Sequence, residues 1–214
     1  MIKAVVFDFG GVLSQFGVLG DSSRRLAKVL GCEPDDVRTK MGPLIGRWLM
    51  GQVETADFWR QAAQLVGAPP ADYDAKWRAG EITRYDSLYY ELARELRRQG
   101  IRTGVLSNIG PTSAELVARA GGWRGFDPVV LSCDVGYAKP DPAIYQVLLD
   151  RLRLRAEEVL FVDDAPVNLA AAGALGLQTV QAGETAATIA MIRQRLSDDS
   201  LPAKKPARSG SFGA

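Results

Sequence analysis

Short apolar runs recur along the chain and predict buried parallel strands. Each run is too short for a helix and is rich in Val, Leu or Phe, which is typical of strands that are covered on both faces. The predicted strands are IKAVVFDF at 2–9, RTGVLSN at 102–108, PVVLS at 128–132, VLFVDD at 159–164 and LQTVQ at 177–181.

Between the later strands, apolar residues recur at helical spacing. The segment DSLYYELARELRRQG, residues 86–100, closes on Gly100, a residue type that commonly follows the last turn of a helix. The same spacing predicts helices over 111–122, 141–154 and 166–176. Strands that alternate with helices predict right-handed crossovers, and therefore an α/β fold with a doubly wound parallel sheet.

Residues 17–85 interrupt this alternation with helical patterns that have no strand between them. The predicted helices cover 21–31, 35–51, 55–67 and 71–82. They predict an all-helical subdomain inserted after the first strand, which leaves 1–16 and 86–197 as the α/β core. Residues 198–214 are polar and rich in Pro, Gly and Ser, so we expect a flexible tail.

The composition is that of a globular protein, and its net charge is too small to attract nucleic acids or anionic membranes. The chain has 214 residues, of which 47% are hydrophobic and 24% charged, and its net charge is +1. We therefore expect no nucleic-acid or membrane partner, and a monomer or homodimer. The N-terminal apolar run is too short for a signal peptide or membrane span, and two widely separated cysteines suggest free thiols. These features predict a cytoplasmic protein.

The chain contains no histidine. This absence excludes Ser-His-Asp and Cys-His catalysis and removes the commonest zinc ligand. Any chemistry must therefore use carboxylates, lysine, hydroxyls or the main chain, with or without a hard metal ion.

Polar residues stand at the ends of the predicted strands or in the loop that follows. They are Asp8, Ser107, Asn108, Lys139, Asp163 and Asp164. Taken singly, each has an ordinary explanation as a helix cap, a turn residue or a solvated charge. Because ligands of open parallel sheets bind beyond the carboxyl ends of the strands, their joint occurrence predicts a ligand site at that edge.

These segments resemble the four motifs of the haloacid dehalogenase (HAD) superfamily, most of whose members are phosphatases. VVFDFGGVL matches the first motif, VLSN the second, the lysine of AKPDP the third and LFVDDAPVN the fourth. The resemblance extends over residues 1 to about 181 and implies a Rossmann-like HAD core. The predicted helical subdomain stands where the family carries a small helical cap. Its GQVETADFW segment resembles the subgroup of epoxide-hydrolase phosphatase domains and sugar-phosphate phosphatases.

The resemblance assigns the reacting and metal-binding groups. Asp8 resembles the nucleophile that attacks phosphorus and forms an aspartyl-phosphate. It also resembles a Mg²⁺ ligand, together with the main-chain carbonyl of Gly10 and the carboxylate of Asp164. Asp163 resembles a residue that supports the metal shell rather than binding directly. Asn168 is left with two readings, an outer-shell contact or an exposed helix amide.

The resemblance also assigns the substrate contacts. Ser107 and the main chain at Asn108 resemble a clamp for the phosphate oxygens. Lys139 offsets the repulsion between Asp8 and the incoming dianion and stabilises charge in the transition state. The implied substrate is a small phosphorylated metabolite, covered by the cap, which excludes water.

Gly10 departs from the family pattern. In the typical phosphatase of this family, a second aspartate stands at this position and acts as general acid and base, a contribution of about 10²–10⁴ in rate. Three readings stay open: a phosphatase that manages without this acid, a 2-haloacid dehalogenase with Asp8 as nucleophile, or a non-catalytic binding protein. In the dehalogenase reading, Arg24, Arg47 or Arg60 would bind the halide or carboxylate, but the acidic pair would have no role.

The aromatic residues of the predicted cap are expected to form its own core or to pack it on the sheet. They are Trp48, Phe58, Trp59 and Trp77.

A response-regulator receiver domain also uses an acidic cluster and a lysine. The large helical insertion after the first strand argues against that class.

Overall fold

The computed structural model describes residues 1–14, 19–80 and 85–200. Within these ranges, the core is a five-stranded parallel sheet with the order β3-β2-β1-β4-β5. The strands are β1 (Ala4–Phe7), β2 (Arg102–Ser107), β3 (Val129–Leu131), β4 (Val159–Asp163) and β5 (Gln178–Gln181). All the predicted strands are present, and the doubly wound α/β fold is confirmed.

Both faces of the sheet are covered, because successive residues of a strand point to opposite sides. On one face, Val5 and Phe7 pack with residues of α6 (Ser87–Arg98), α7 (Pro111–Arg119) and α11 (Thr185–Ser200). On the other face, Ala4 and Val6 pack with residues of α9 and α10. The bounds of the latter two helices are Pro142–Leu152 and Pro166–Ala174.

An all-helical segment, here called the helical insert, follows β1. It contains α1 (Leu19–Leu30), α2 (Pro34–Lys40), α3 (Gly42–Leu49), α4 (Thr55–Val66) and α5 (Tyr73–Ala79). The prediction of one helix over 35–51 is wrong, since the chain breaks at Met41 between α2 and α3. Pro43 explains the break, because proline lacks an N–H group and is tolerated in the first turn of a helix but not in its interior.

The helical insert has its own hydrophobic core. Trp48 stacks on Phe58 with ring centroids 4.2 Å apart, and Trp59 and Trp77 pack around them. All four side chains are buried, as predicted for the core of this subdomain. The insert therefore buries apolar surface independently of the sheet.

The helical insert is held on α7 by polar contacts from α5. The Trp77 indole donates to Ser113 Oγ at 3.1 Å, and the Thr112 hydroxyl donates to the Asp74 carboxylate at 2.9 Å. Helix α7 begins just after Asn108 and Ile109, the loop that follows β2. The docking of the insert therefore reaches the carboxyl edge of the sheet.

The last described helix, α11, has no counterpart among the predicted elements. It runs to Ser200 and therefore includes the first three residues of the predicted flexible tail. The rest of that tail, 201–214, lies outside the described residues, as do the predicted boundary at 16/17 and the end of the last predicted insert helix at 81–82. Among the described residues, no helix is long and apolar enough to cross a membrane.

Candidate active site

The sheet order brings the first and fourth motifs side by side. Strand β1 lies between β2 and β4, and Phe7 pairs with Val162 in register. The Asp8 amide donates to the Val162 carbonyl at 2.8 Å, so Asp8 and Asp163 leave the sheet from adjacent strand ends. After β3 the chain crosses to the other side of β1, which makes this position a topological switch point where ligands bind.

Lys139 is the cation between these two carboxylates. Its Nζ lies 2.9 Å from Asp8 Oδ1 and 2.6 Å from Asp163 Oδ2, and its side chain is only 1% exposed. An ammonium group has three N–H donors, and these two contacts use two of them. The third donor can serve an oxygen of a bound ligand.

Asp163 is saturated with donors. Besides Lys139, its carboxylate accepts from the Ala165 amide at 2.8 Å and from Asn168 Nδ2 at 3.0 and 3.1 Å. The exposed-amide reading of Asn168 is therefore wrong, since its buried side chain binds Asp163. These contacts place Asp163 as the residue that orients Lys139.

Three carboxylates form a cluster that can accept a metal ion. One oxygen each from Asp8, Asp163 and Asp164 lies within 4.8 Å of the others. Carboxylate oxygens are the ligands that a hard divalent cation prefers. Because Asp163 is saturated, Asp8 and the half-buried Asp164 are the side chains best able to supply ligands.

Burial and crowding shift the protonation of the cluster. Burial, reinforced by the charge of Asp163, raises the pKa of Asp8 to about 6 despite the attraction of Lys139. Burial and the Asp163 charge also raise the pKa of Asp164. Burial alone would lower the pKa of Lys139, but its attraction to Asp8 and Asp163 outweighs burial and raises it. The lysine therefore stays charged beside carboxylates that carry more negative charge than it neutralises.

The Ser107–Asn108 segment, here called the clamp loop, ends β2 beside these groups. Ser107 is buried. The Asn108 side chain pairs with the main chain of Lys139, accepting from its amide and donating to its carbonyl, both at 2.8 Å. The Asn108 side chain therefore joins the clamp loop to the loop that carries Lys139. The main chain of Asn108 is the part left for a ligand.

A tight turn follows Asp8. The Phe9 amide donates to Asp8 Oδ1 at 2.6 Å, and the Gly11 amide donates to the Ser14 carbonyl at 2.9 Å. Gly11 has a φ of 77°, a conformation that favours glycine, whereas Gly10 is not in this region. The turn thus explains Gly11 but not Gly10.

The three arginines proposed for a dehalogenase pocket lie on the surface of the helical insert. Arg24, Arg47 and Arg60 are all exposed, and Arg60 pairs with Asp57 one turn away at 2.6 Å.

One buried polar residue near the site was missed by the sequence analysis. It is Ser132, directly after β3, whose hydroxyl accepts a hydrogen bond from the Ile109 amide. The residue type gave no signal, because a serine after a strand is ordinary turn chemistry.

Comparisons with known proteins identify a family for this chain. The haloacid dehalogenase-like hydrolase family matches residues 2–176. The sesquiterpene phosphatase astK of Aspergillus oryzae is 29% identical over 90% of this chain and 95% of its own length. Bifunctional epoxide hydrolase 2 of Sus scrofa is 36% identical over 86% of this chain, which spans only 37% of that protein. Acyl-CoA dehydrogenase family member 10 of Mus musculus is 30% identical over 84% of this chain, which spans only 18% of that protein.

Similarity to dehalogenases is also present. (S)-2-haloacid dehalogenase 1 of Pseudomonas is 30% identical over 63% of this chain and 63% of its own length.

Among solved structures, a predicted HAD-like family hydrolase of Porphyromonas gingivalis has a TM-score of 0.76 at 27% identity, covering 92% of this chain and 98% of its own. A HAD family enzyme of Bacteroides thetaiotaomicron, solved with magnesium and inorganic phosphate, shares the fold at a TM-score of 0.71 and 21% identity, over 86% and 95% of the two chains. The fold, the strand-end carboxylates and the family match together establish that this chain belongs to the haloacid dehalogenase-like hydrolases.

Proposed function

We propose that the protein is a Mg²⁺-dependent phosphatase that acts on a small phosphorylated metabolite through an aspartyl-phosphate on Asp8. The observation that carries the proposal is the carboxylate cluster at the switch point of the sheet. One oxygen from each carboxylate lies within 4.8 Å of the others, and among the described residues the three negative charges exceed the one positive charge of Lys139 beside them. A site that must bind a divalent cation and a phosphate dianion needs this combination.

In the first step, a carboxylate oxygen of Asp8 attacks phosphorus. A P–O bond to Asp8 forms, the P–O bond to the substrate alcohol breaks, and the leaving oxygen keeps the electron pair and takes a proton from solvent. In the second step, water attacks the same phosphorus, which releases phosphate and restores the Asp8 carboxylate. The protein positions the nucleophile through the Phe9 amide and the Lys139 ammonium.

The residues that would hold Mg²⁺ are Asp8, Asp164 and the main-chain carbonyl of Gly10. When bound, the cation neutralises charge on the phosphate oxygens. Three donors would bind those oxygens from the other side. They are the third N–H of Lys139, the Ser107 hydroxyl and the main-chain N–H of Asn108. Asp163 and Asn168 keep Lys139 in place.

Gly10 limits the proposal to substrates with an undemanding leaving group or to slow turnover. No side chain at position 10 can protonate the leaving oxygen, and this help is worth about 10²–10⁴ in rate. We expect aryl phosphates to be hydrolysed faster than alkyl phosphates for this reason. The phosphatase name of astK and the magnesium and phosphate bound to the structural neighbour support the proposed reaction.

A 2-haloacid dehalogenase is the second candidate, because relatives of that name match the chain. In that reaction Asp8 would attack carbon and displace a halide, with no need for a cation. The acidic pair at 163–164 and the exposed positions of the three candidate arginines favour the phosphatase.

The test measures two products with the same preparations. Phosphate release from an aryl phosphate is followed with Mg²⁺ or with a chelator, for the wild type and Asp8→Asn. Chloride release from 2-chloropropionate is followed in parallel. Phosphate release that requires both Mg²⁺ and Asp8 supports the proposal. Chloride release that persists in chelator favours the dehalogenase, and the absence of both products favours a binding protein.

A further inference from the structure

Ser132 lies at the centre of a contact between the helical insert and the active-site edge. Its side chain is fully buried at the start of α8 (Ser132–Val135). The hydroxyl accepts a hydrogen bond from the Ile109 amide at 3.0 Å and donates one to the Leu49 carbonyl at 2.6 Å. One hydroxyl group therefore joins the loop after β2 to the helical insert.

Each partner of this hydroxyl depends on it for a specific reason. Ile109 directly follows the clamp loop, so its amide belongs to the peptide next to Asn108. Leu49 is the last residue of α3, and the final carbonyls of a helix have no partner within the helix. Loss of the Ser132 hydroxyl would leave the buried Ile109 amide and the part-buried Leu49 carbonyl without their side-chain partner, which is costly.

The packing around Ser132 is close on both sides. A Cβ atom at Gly110 would lie 2.6 Å from the Trp48 ring, so this ring rests directly on the main chain that follows Ile109. A Cβ atom at Gly51 would lie 2.2 Å from the Cys133 carbonyl oxygen, so the turn after α3 touches the residue next to Ser132. The end of α3 is thus seated on the loop after β2 and on the first turn of α8, where the Ser132 hydroxyl lies.

We propose that Ser132 is a positioning residue that fixes the clamp loop for phosphate and ties its geometry to the docking of the helical insert. The clamp loop is pinned twice. The Asn108 side chain attaches it to the Lys139 loop, and Ser132 attaches the adjoining main chain to the insert. The inference rests on the proposed phosphatase function, because it assigns Ser132 to the phosphate-binding part of that site.

The test compares Ser132→Ala with Ser113→Ala. Ser113 is a matched control, since it is also a buried serine that bonds to the helical insert, and it lies within α7, where its hydroxyl accepts from the Trp77 indole. With an aryl phosphate, we expect Ser132→Ala to raise KM and the inhibition constant of inorganic phosphate together by about tenfold, the size expected for one lost buried hydrogen bond. Ser113→Ala should leave both within about twofold.

Hydrogen exchange gives a second readout that does not depend on turnover. The Ile109 amide should exchange about tenfold faster in Ser132→Ala than in the wild type, and be unchanged in Ser113→Ala. Ser132→Cys keeps the bulk of the side chain with a weaker donor and acceptor, and should fall between serine and alanine. This variant replaces Ser132→Ala if the latter fails to fold.

Two results would overturn the inference. Equal effects of Ser132→Ala and Ser113→Ala on the phosphate inhibition constant would show that Ser132 is only a packing residue, while wild-type turnover would leave the proposed function standing. If the wild type neither hydrolyses aryl phosphates nor binds phosphate, the proposed function itself fails. The assignment of Ser132 to phosphate binding then fails with it, even if the exchange of Ile109 changes as expected.

Discussion

Acidic residues at the two edges of the sheet have opposite environments. At the carboxyl edge, Asp8 and Asp163 share Lys139, Asp164 lies in the same cluster, and burial raises the pKa of Asp8 to about 6. At the amino edge, Glu158 accepts from Lys3 Nζ at 2.8 Å and from the Arg155 amide at 2.9 Å.

These contacts have the reverse effect on protonation. Hydrogen bonds from Lys3 and then from the Arg155 amide lower the pKa of Glu158 to about 2. The negative charge of Glu158 is thus balanced by its hydrogen-bond donors. The carboxylates of the site carry more negative charge than Lys139 neutralises. The excess charge is what a divalent cation would offset, and we infer that the carboxyl edge gives up stability for ligand binding.

The largest expected effect is on Asp8. Asp8→Asn should lower phosphate release by at least about 10³-fold, since an amide cannot act as the nucleophile. In chelator at pH 8 the same variant should unfold at the same or a higher temperature than the wild type. Its folded pKa is raised, so ionised Asp8 destabilises the protein fully above about pH 6, and this cost disappears as the pH falls toward the ordinary aspartate value. A large loss of thermal stability at pH 8 would contradict the comparison.

Lys139 should show the next largest effect. Lys139→Met removes the cation that contacts both Asp8 and Asp163, and breaking a buried ion pair costs about 3–5 kcal/mol of unfolding free energy. Urea titration at pH 8 checks this value. The loss should shrink as the pH falls through about 6, because the raised pKa of Asp8 lets its carboxyl group become neutral there. A pH-independent loss would point to a packing defect instead.

Gly10 offers a gain of function. Gly10→Asp supplies a carboxyl group for the leaving oxygen, and we expect about a tenfold rise in kcat/KM for alkyl phosphates with a smaller rise for aryl phosphates. Gly11→Asp is the matched control. Its φ of 77° strains any side chain, so it should lower the melting temperature without the gain in rate. Equal gains on both substrate types would exclude a leaving-group effect.

The smallest effect belongs to the amino edge. Glu158→Gln should lower the melting temperature at pH 7 by a few degrees and leave kcat within about twofold. Because the folded pKa of Glu158 is lowered, its stabilisation is present above the ordinary glutamate value and is lost as the pH falls toward about 2. The difference between variant and wild type should vanish over that range in a series of thermal melts. A constant difference would mean that charge is not the cause.

Much of the sheet was predictable, because buried parallel strands leave continuous apolar runs whose ends can be read from the sequence. Asp8 and Asp163 were expected at one edge for this reason, and the structure places them on adjacent strands. The break at Met41 was missed although Pro43 signals it, because apolar spacing continues across the two helices. The pattern of α11 was not recognised, since Ile189 and Ile192 are its only buried apolar residues among those whose burial the structure describes.

The supporting contacts of the site were the least predictable part. The pairing of Asn108 with Lys139 and the position of Ser132 between Ile109 and Leu49 join residues far apart in the chain. Spacing along a sequence carries no information on which side chain meets which main-chain group. Such contacts follow from the way two loops and a helix end are packed together.

The most direct test of the central claim is the identity of the covalent intermediate. The wild type is mixed with an aryl phosphate and Mg²⁺, quenched in acid during turnover, digested and examined by mass spectrometry. The account predicts a phosphoryl group on the peptide that contains Asp8, absent when the chelator is present. Turnover without any adduct on Asp8, or an adduct on another residue, would contradict it.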